Sequence, residues 1–155
     1  GAVYLGRFIE VGRDPLQQAR NAGVQRVSLA ELLSQSDFVS LHCPLTPETR
    51  HLINRETLAQ MKPSAILINT TRGPVVDQAA LYDALVSGVI AGAALDVTDP
   101  EPLPASDPIL SLPNALVVPH VGSATIGTRG KMAEIAIDNL IAGISGQPLR
   151  HAVGG

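Results

Sequence analysis

A chain of 155 residues with a net charge of -3 and only 3% aromatic side chains has neither the basic face nor the stacking rings that nucleic-acid binding requires, so no such partner is expected. Apolar residues reach 45% and are mostly Val, Ile, Leu and Ala, the usage of parallel strands flanked by helices; a chain this long buries roughly two-thirds of its unfolded surface around one core. No apolar run approaches the roughly 20 residues of a membrane span, the start does not read as a signal peptide, and the single cysteine, Cys43, cannot make an intrachain disulfide, which fits a reducing, cytoplasmic setting.

The first element read along the chain is a strand over residues 2–12, closed by the turn Gly12-Arg13-Asp14-Pro15. Pro15 suits the first position of a helix, which runs to Ala22 and stops at Gly23. A brief strand at 24–27 follows. Ser28 and Glu31 then stand at capping-box spacing and open a helix through Leu32 and Leu33. Asp37 to His42 is the next strand, and two prolines in Cys43-Pro-Leu-Thr-Pro-Glu-Thr49 forbid continued pairing and carry the chain across the sheet edge. Asn54 caps a short helix to Met61. Ala65-Ile-Leu-Ile68 is apolar throughout, as a strand buried on both faces should be, and ends at Asn69-Thr70-Thr71-Arg72-Gly73. Asp77 caps an amphipathic helix over residues 78–87, closed by Gly88. Val89 to Val97 reads as a buried strand with Asp96 at its carboxyl end. The five prolines between Thr98 and Pro113 stiffen the segment that holds Glu101 into a fixed wall. Ala115 to Val118 is the final strand, His120-Val-Gly-Ser-Ala-Thr125 leaves its end, and the last helix spans residues 125–142.

Strand and helix signals alternate throughout, which predicts an α/β fold built on a doubly wound, Rossmann-like parallel sheet. In such sheets ligands bind outside the carboxyl ends of the strands. Gly12-Arg13, Cys43-Pro44, Thr70-Arg72, Asp96 and His120 each follow an expected strand, so the fold should bring them to one edge. Arg72, Glu101 and His120 then make an electrostatic set: a planar cation able to grip a carboxylate in two places, a carboxylate, and a group that exchanges protons near neutral pH. Alone, each has an ordinary reading, as a surface arginine, a solvated rim glutamate and a strand-end histidine. Together they suggest acid-base chemistry on an anionic substrate. His42, His51, His120 and His151 share no metal-ligand spacing, so no metal is expected, and Cys43, with no base supplied locally, reads as structural.

Four stretches carry a resemblance: S-D-F-V-S-L-H-C-P-L-T-P-E-T, I-N-T-T-R-G-P-V-V-D, A-A-L-D-V-T-D-P-E-P-L-P and V-P-H-V-G-S-A-T. In this order they resemble the D-isomer-specific 2-hydroxy-acid dehydrogenases over nearly all of residues 28–145, and D-P-E-P-L-P with P-H-V-G-S-A-T is similar to the glyoxylate and hydroxypyruvate reductases. The resemblance implies that Arg72 holds the substrate carboxylate and carbonyl oxygen, that His120 gives the carbonyl its proton, and that Glu101 is the acid paired with His120. It places Asp96 at the nicotinamide amide and Pro44, Thr49, Thr70 and Gly122 along the dinucleotide. A small 2-keto or 2-hydroxy acid is the implied substrate and a homodimer the implied assembly. A phosphoglycerate or other D-2-hydroxy-acid dehydrogenase would share these motifs, and so would a non-catalytic, dinucleotide-sensing corepressor-like module.

Two expectations concern the cofactor. Gly12-Arg13-Asp14-Pro15 offers both Arg13, which would accommodate the 2'-phosphate of NADP, and Asp14, an acid of the kind that suits NAD; Gly-Arg followed by a proline two residues on resembles the NADPH-using reductases, so NADP(H) is favoured and NAD(H) stays open. The chain also has no G-x-G-x-x-G turn. Residues 1–155 therefore read as a partial NAD(P)-binding domain, lacking that unit and the substrate domain and inactive by itself.

Overall fold

The computed structural model describes residues 27–150 and residue 152. The elements read over residues 2–23, Arg13 among them, and all but Val27 of the brief strand lie outside these. The described residues fall into two compact units, one ending at Pro119 and the other beginning at His120.

The first unit is a parallel sheet of four strands, β1 (Phe38–Leu41), β2 (Ile66–Asn69), β3 (Gly92–Leu95) and β4 (Ala115–Val117), in the order β1-β2-β3-β4. Three helices connect and precede them: α1 (Leu29–Gln35), α2 (Arg55–Leu58) and α3 (Gln78–Val86). Short 3-10 turns lie at Gly73–Val75 and Pro108–Ser111. The expected α/β parallel sheet is therefore present.

Local chemistry sets most of these boundaries. Ser28 accepts the Glu31 amide at 3.2 Å to start α1. Asn54 accepts the Thr57 amide at 3.0 Å while the Thr57 hydroxyl accepts the Asn54 amide at 2.7 Å, a reciprocal cap on α2. Asp77 accepts the Ala80 amide at 3.0 Å and starts α3. Gly88 ends that helix at φ +69, a conformation that costs a side chain energy.

Most expected boundaries shift by a residue or two, and two expected spans shorten further. The β3 ladder covers only Gly92–Leu95 instead of Val89–Val97, because the Val89 amide is spent on Ala84 O, at 2.9 Å, finishing the last turn of α3. The short helix from Asn54 covers Arg55–Leu58 and gives way to turns before Met61.

The core lies against the sheet. Leu33, Ile53, Leu67, Leu81 and Ile109 are fully enclosed, drawn from α1, the loop before α2, β2, α3 and the second 3-10 turn. Within β2, Leu67 and Asn69 are buried while Ile66 and Ile68 are half-buried. Asn69 is thus the strand's polar end and is almost fully enclosed.

The second unit is dominated by α4 (Ile126–Ile144), capped by Thr125, whose hydroxyl accepts the Thr128 amide at 3.1 Å. The helix runs slightly past its expected end at Ala142 and buries none of its residues. Among the described residues, no helix is long and apolar enough to cross a membrane.

Candidate active site

The register of the sheet fixes which loops share an edge. Leu41, Asn69, Leu95 and Val117 are mutual partners across the ladder. All strands run parallel, so Cys43-Pro44, Thr70-Thr71-Arg72 and Asp96 all leave the sheet at its carboxyl edge. This follows from pairing between residues far apart in sequence, and it is the edge where α/β sheets place ligands.

The loop after β2 is built by its last residue. Asn69 Oδ1 accepts from the Thr71 amide at 3.0 Å and the Thr71 hydroxyl at 2.8 Å, while Asn69 Nδ2 donates to Arg72 O at 3.0 Å. A buried amide thus satisfies both of its ends on one turn and sets the backbone that presents Arg72. The Arg72 side chain is exposed, with Nη1 donating to Thr71 O at 2.6 Å. A guanidinium carries five N–H donors in a fixed fork, more than this bond uses.

Gly73 is buried directly behind Arg72. A Cβ built there would stand 1.9 Å from Thr98 O and 2.8 Å from the Asp99 amide nitrogen. The backbone of the arginine loop therefore lies flat against the peptide that opens the proline-rich segment, and glycine is required for space. Glu101, exposed on that segment, follows by two residues. The segment's start is fixed further by the Thr98 hydroxyl, which donates to Pro100 O at 2.9 Å.

Asp96 is 8% exposed, and its amide donates to Asn69 O at 2.9 Å, continuing the ladder past β3. Thr70 is exposed on the same edge. In the loop after β1 the Thr49 hydroxyl donates to Pro44 O at 2.6 Å and accepts the Thr46 amide at 2.8 Å. That hydroxyl closes the loop on itself, so Thr49 shapes the wall that Pro44 presents. Burial raises the Cys43 thiol above its ordinary range, opposed in part by its own backbone hydrogen bond.

His120 and Gly122 belong to the second unit and are exposed there. His120 has φ +52, in the left-handed region that costs a non-glycine residue on the order of 1 kcal/mol and that concentrates at functional sites. Arg13 lies outside the described residues. Among the described residues, no group of three or more His, Cys, Asp or Glu could hold a metal ion.

Residues 7–122 match the sequence model of the D-isomer specific 2-hydroxyacid dehydrogenase, NAD binding domain. The chain belongs to this family. It is 57% identical over 129 residues to glyoxylate/hydroxypyruvate reductase B of Serratia proteamaculans, covering 83% of this chain and 40% of that protein. It is 48% identical over 144 residues to the human glyoxylate reductase/hydroxypyruvate reductase, covering 92% of this chain and 44% of that protein. A solved D-isomer specific 2-hydroxyacid dehydrogenase from Xanthobacter autotrophicus Py2, in complex with NADPH and MES, superposes with a TM-score of 0.67 at 44% identity, over 81% of this chain and 51% of that one. The chain thus spans less than half the length of the curated relatives it matches.

The structure singles out two residues that the sequence alone does not: Asn69, which in sequence is only the point where an apolar run stops, and Gln78, which is only the start of a helix. The partners of Asn69 are local, and an Asx turn at a strand end is a readable signal. Those of Gln78 are not local.

Proposed function

We propose that the protein containing this chain reduces glyoxylate or hydroxypyruvate to the D-2-hydroxy acid, using a nicotinamide dinucleotide, with NADPH preferred. The observation that carries this reading is the Asn69-built loop, which presents the exposed Arg72 at the carboxyl edge with its backbone against the segment that bears Glu101. A small 2-keto acid offers a carboxylate and an adjacent carbonyl oxygen, the paired acceptors that one guanidinium fork can take together.

The residues present fit a dinucleotide. The buried carboxyl group of Asp96 suits the amide donors of a nicotinamide, and Pro44, Thr49, Thr70 and Gly122 are loop positions that would line the rest, with Arg13 beside the ribose phosphate. A bound dinucleotide would supply the hydride. Arg72 orients the keto acid and draws charge toward the carbonyl oxygen. Charged His120 gives that oxygen its proton as the carbonyl carbon is reduced, so that the product leaves as a neutral alcohol on a carboxylate. Glu101 is assigned the role of the acid that supports His120 in this transfer.

Steady-state kinetics of the full-length protein test the proposal, with glyoxylate, hydroxypyruvate and the phosphorylated 2-keto acid related to phosphoglycerate, each with NADPH and NADH. A higher kcat/KM for the phosphorylated substrate would replace the proposed specificity with that of the sibling enzymes. Arg13→Ala should raise KM for NADPH far more than for NADH, and equal effects would remove the phosphate role from Arg13.

A further inference from the structure

Gln78 sits at the first position of α3, immediately after its cap Asp77, and is half-buried. Its amide faces two places on the proline-rich segment. Oε1 accepts from the Asp99 amide at 3.0 Å, and Nε2 donates to Asp107 Oδ2 at 3.3 Å. These partners lie 21 and 29 residues away, and they bracket Glu101. One partner is a donor and the other a carboxylate, so the side chain must have an acceptor and a donor on one planar group at this length. Glutamine has that pattern, glutamate would set a charge against Asp107, and asparagine is a methylene short.

Both ends are held again on their far sides. Asp107 Oδ1 accepts the Ile109 amide at 3.0 Å and starts the second 3-10 turn, and Ile109 is fully enclosed in the core. Thr98, beside Asp99, is buried and bonded to Pro100 O. Gly73 presses on the same Thr98–Asp99 peptide. Gly73 and Gln78 flank the single turn of chain that joins Arg72 to α3, so one short stretch carries Arg72 on one side and grips the Glu101 segment on the other.

We infer that Gln78 is a positioning residue that clamps segment 99–107 at both ends and so fixes Glu101 relative to Arg72. This rests on the role proposed above for Glu101. A side chain held by stiff backbone keeps its geometry through the reaction, and a misplacement of about 1 Å costs up to about 100-fold in rate.

The test uses the full-length protein with Gln78→Met, which keeps length and removes both bonds, and Gln78→Glu, which keeps the acceptor for Asp99 but repels Asp107. Amide hydrogen exchange of segment 99–107 is measured beside the pH profile of kcat/KM. In Gln78→Met, exchange at Asp99 should speed up by about tenfold or more while the core strands stay protected. In Gln78→Glu the Asp99 amide should remain protected. Catalysis in Gln78→Met should fall about tenfold in kcat with KM for the keto acid changed less than about threefold, and its pH profile should move toward that measured for Glu101→Gln. In a Glu101→Gln background the same change should add little. Unchanged exchange at Asp99 in Gln78→Met overturns the clamp. Faster exchange with the pH profile of the unmodified protein overturns the link to Glu101, provided that Glu101→Gln itself shifts the profile. If Glu101→Gln leaves the profile unmoved, the role of Glu101 fails instead, and the exchange data alone decide whether Gln78 holds the segment.

Discussion

Gly73→Ala sets the arginine loop against the proline-rich segment in one step. Gly73 φ lies outside the left-handed region, so alanine meets no backbone penalty there and the cost is wholly one of space. The new Cβ would stand 1.9 Å from Thr98 O, where real contacts begin at 3.0 Å, so the two backbones must part by about 1.1 Å. The obstacle is backbone, tied on one side by the Thr98 and Gln78 hydrogen bonds and on the other by Asn69, and cannot turn aside as a flexible side chain would. Overpacking of this kind costs about 1–3 kcal/mol, and a rigid obstacle puts this site near 3. At roughly 2–4 °C per kcal/mol for a domain of this size, Tm should fall by about 6–12 °C. Displacing Arg72 by about 1 Å should lower kcat/KM by about 100-fold. Differential scanning calorimetry and steady-state kinetics of the full-length protein read both. Gly130→Ala is the control, in α4 with open space around its Cβ, and should be stabilising by roughly 0.5–1 kcal/mol. A Gly73→Ala protein with Tm within about 1 °C and kcat/KM within about twofold of the parent would refute the backbone contact and the coupling built on it.

Asn69→Ala removes the three hydrogen bonds that a buried amide makes to the turn and should destabilise by about 1–3 kcal/mol while raising KM for the keto acid; a loss of stability with unchanged KM would detach Asn69 from Arg72. His120→Ala should lower reduction and oxidation alike by on the order of 100-fold or more, whereas an effect below about tenfold would remove it as the proton donor. Glu101→Gln should lower kcat/KM for reduction because it removes the carboxylate assigned to support His120, whereas an unchanged kcat/KM would leave Glu101 a solvated rim residue. Cys43 should alkylate more slowly in the folded than in the unfolded protein at pH 8, since burial holds the thiol protonated. Any stability linked to Cys43 is present below the unfolded thiol's range and declines as pH rises through the raised folded value. Equal alkylation rates in the two states would show the thiol to be accessible.

The sequence alone determined the features that rest on neighbours in the chain. Asn54 and Asp77 cap helices because a short polar side chain reaches an amide three residues on, and Gly88 stops α3 because it alone adopts φ +69 without strain. The unbroken apolar run before Asn69 marked a strand, fully buried on the face of Leu67 and Asn69 but only half-buried on that of Ile66 and Ile68. Alternating strands and helices then limited the sheet to a parallel one, and parallel strands send their loops to one edge, so the sequence itself groups Pro44, Thr70, Arg72 and Asp96. The sequence shows a glycine after Arg72 but not what presses on it, because the Thr98–Asp99 peptide reaches Gly73 only through the pairing of β2 with β3. The same pairing decides Gln78, whose partners depend on where the proline-rich segment returns over α3, and glutamine at a helix start has no pattern that announces them. The end of α3 and the start of β3 were likewise settled in space, where the Val89 amide closes the helix on Ala84 O before the chain can pair as a strand. Capping, turn and periodicity signals are local free energies carried by adjacent residues, whereas these contacts exist only once the sheet has brought distant backbones together.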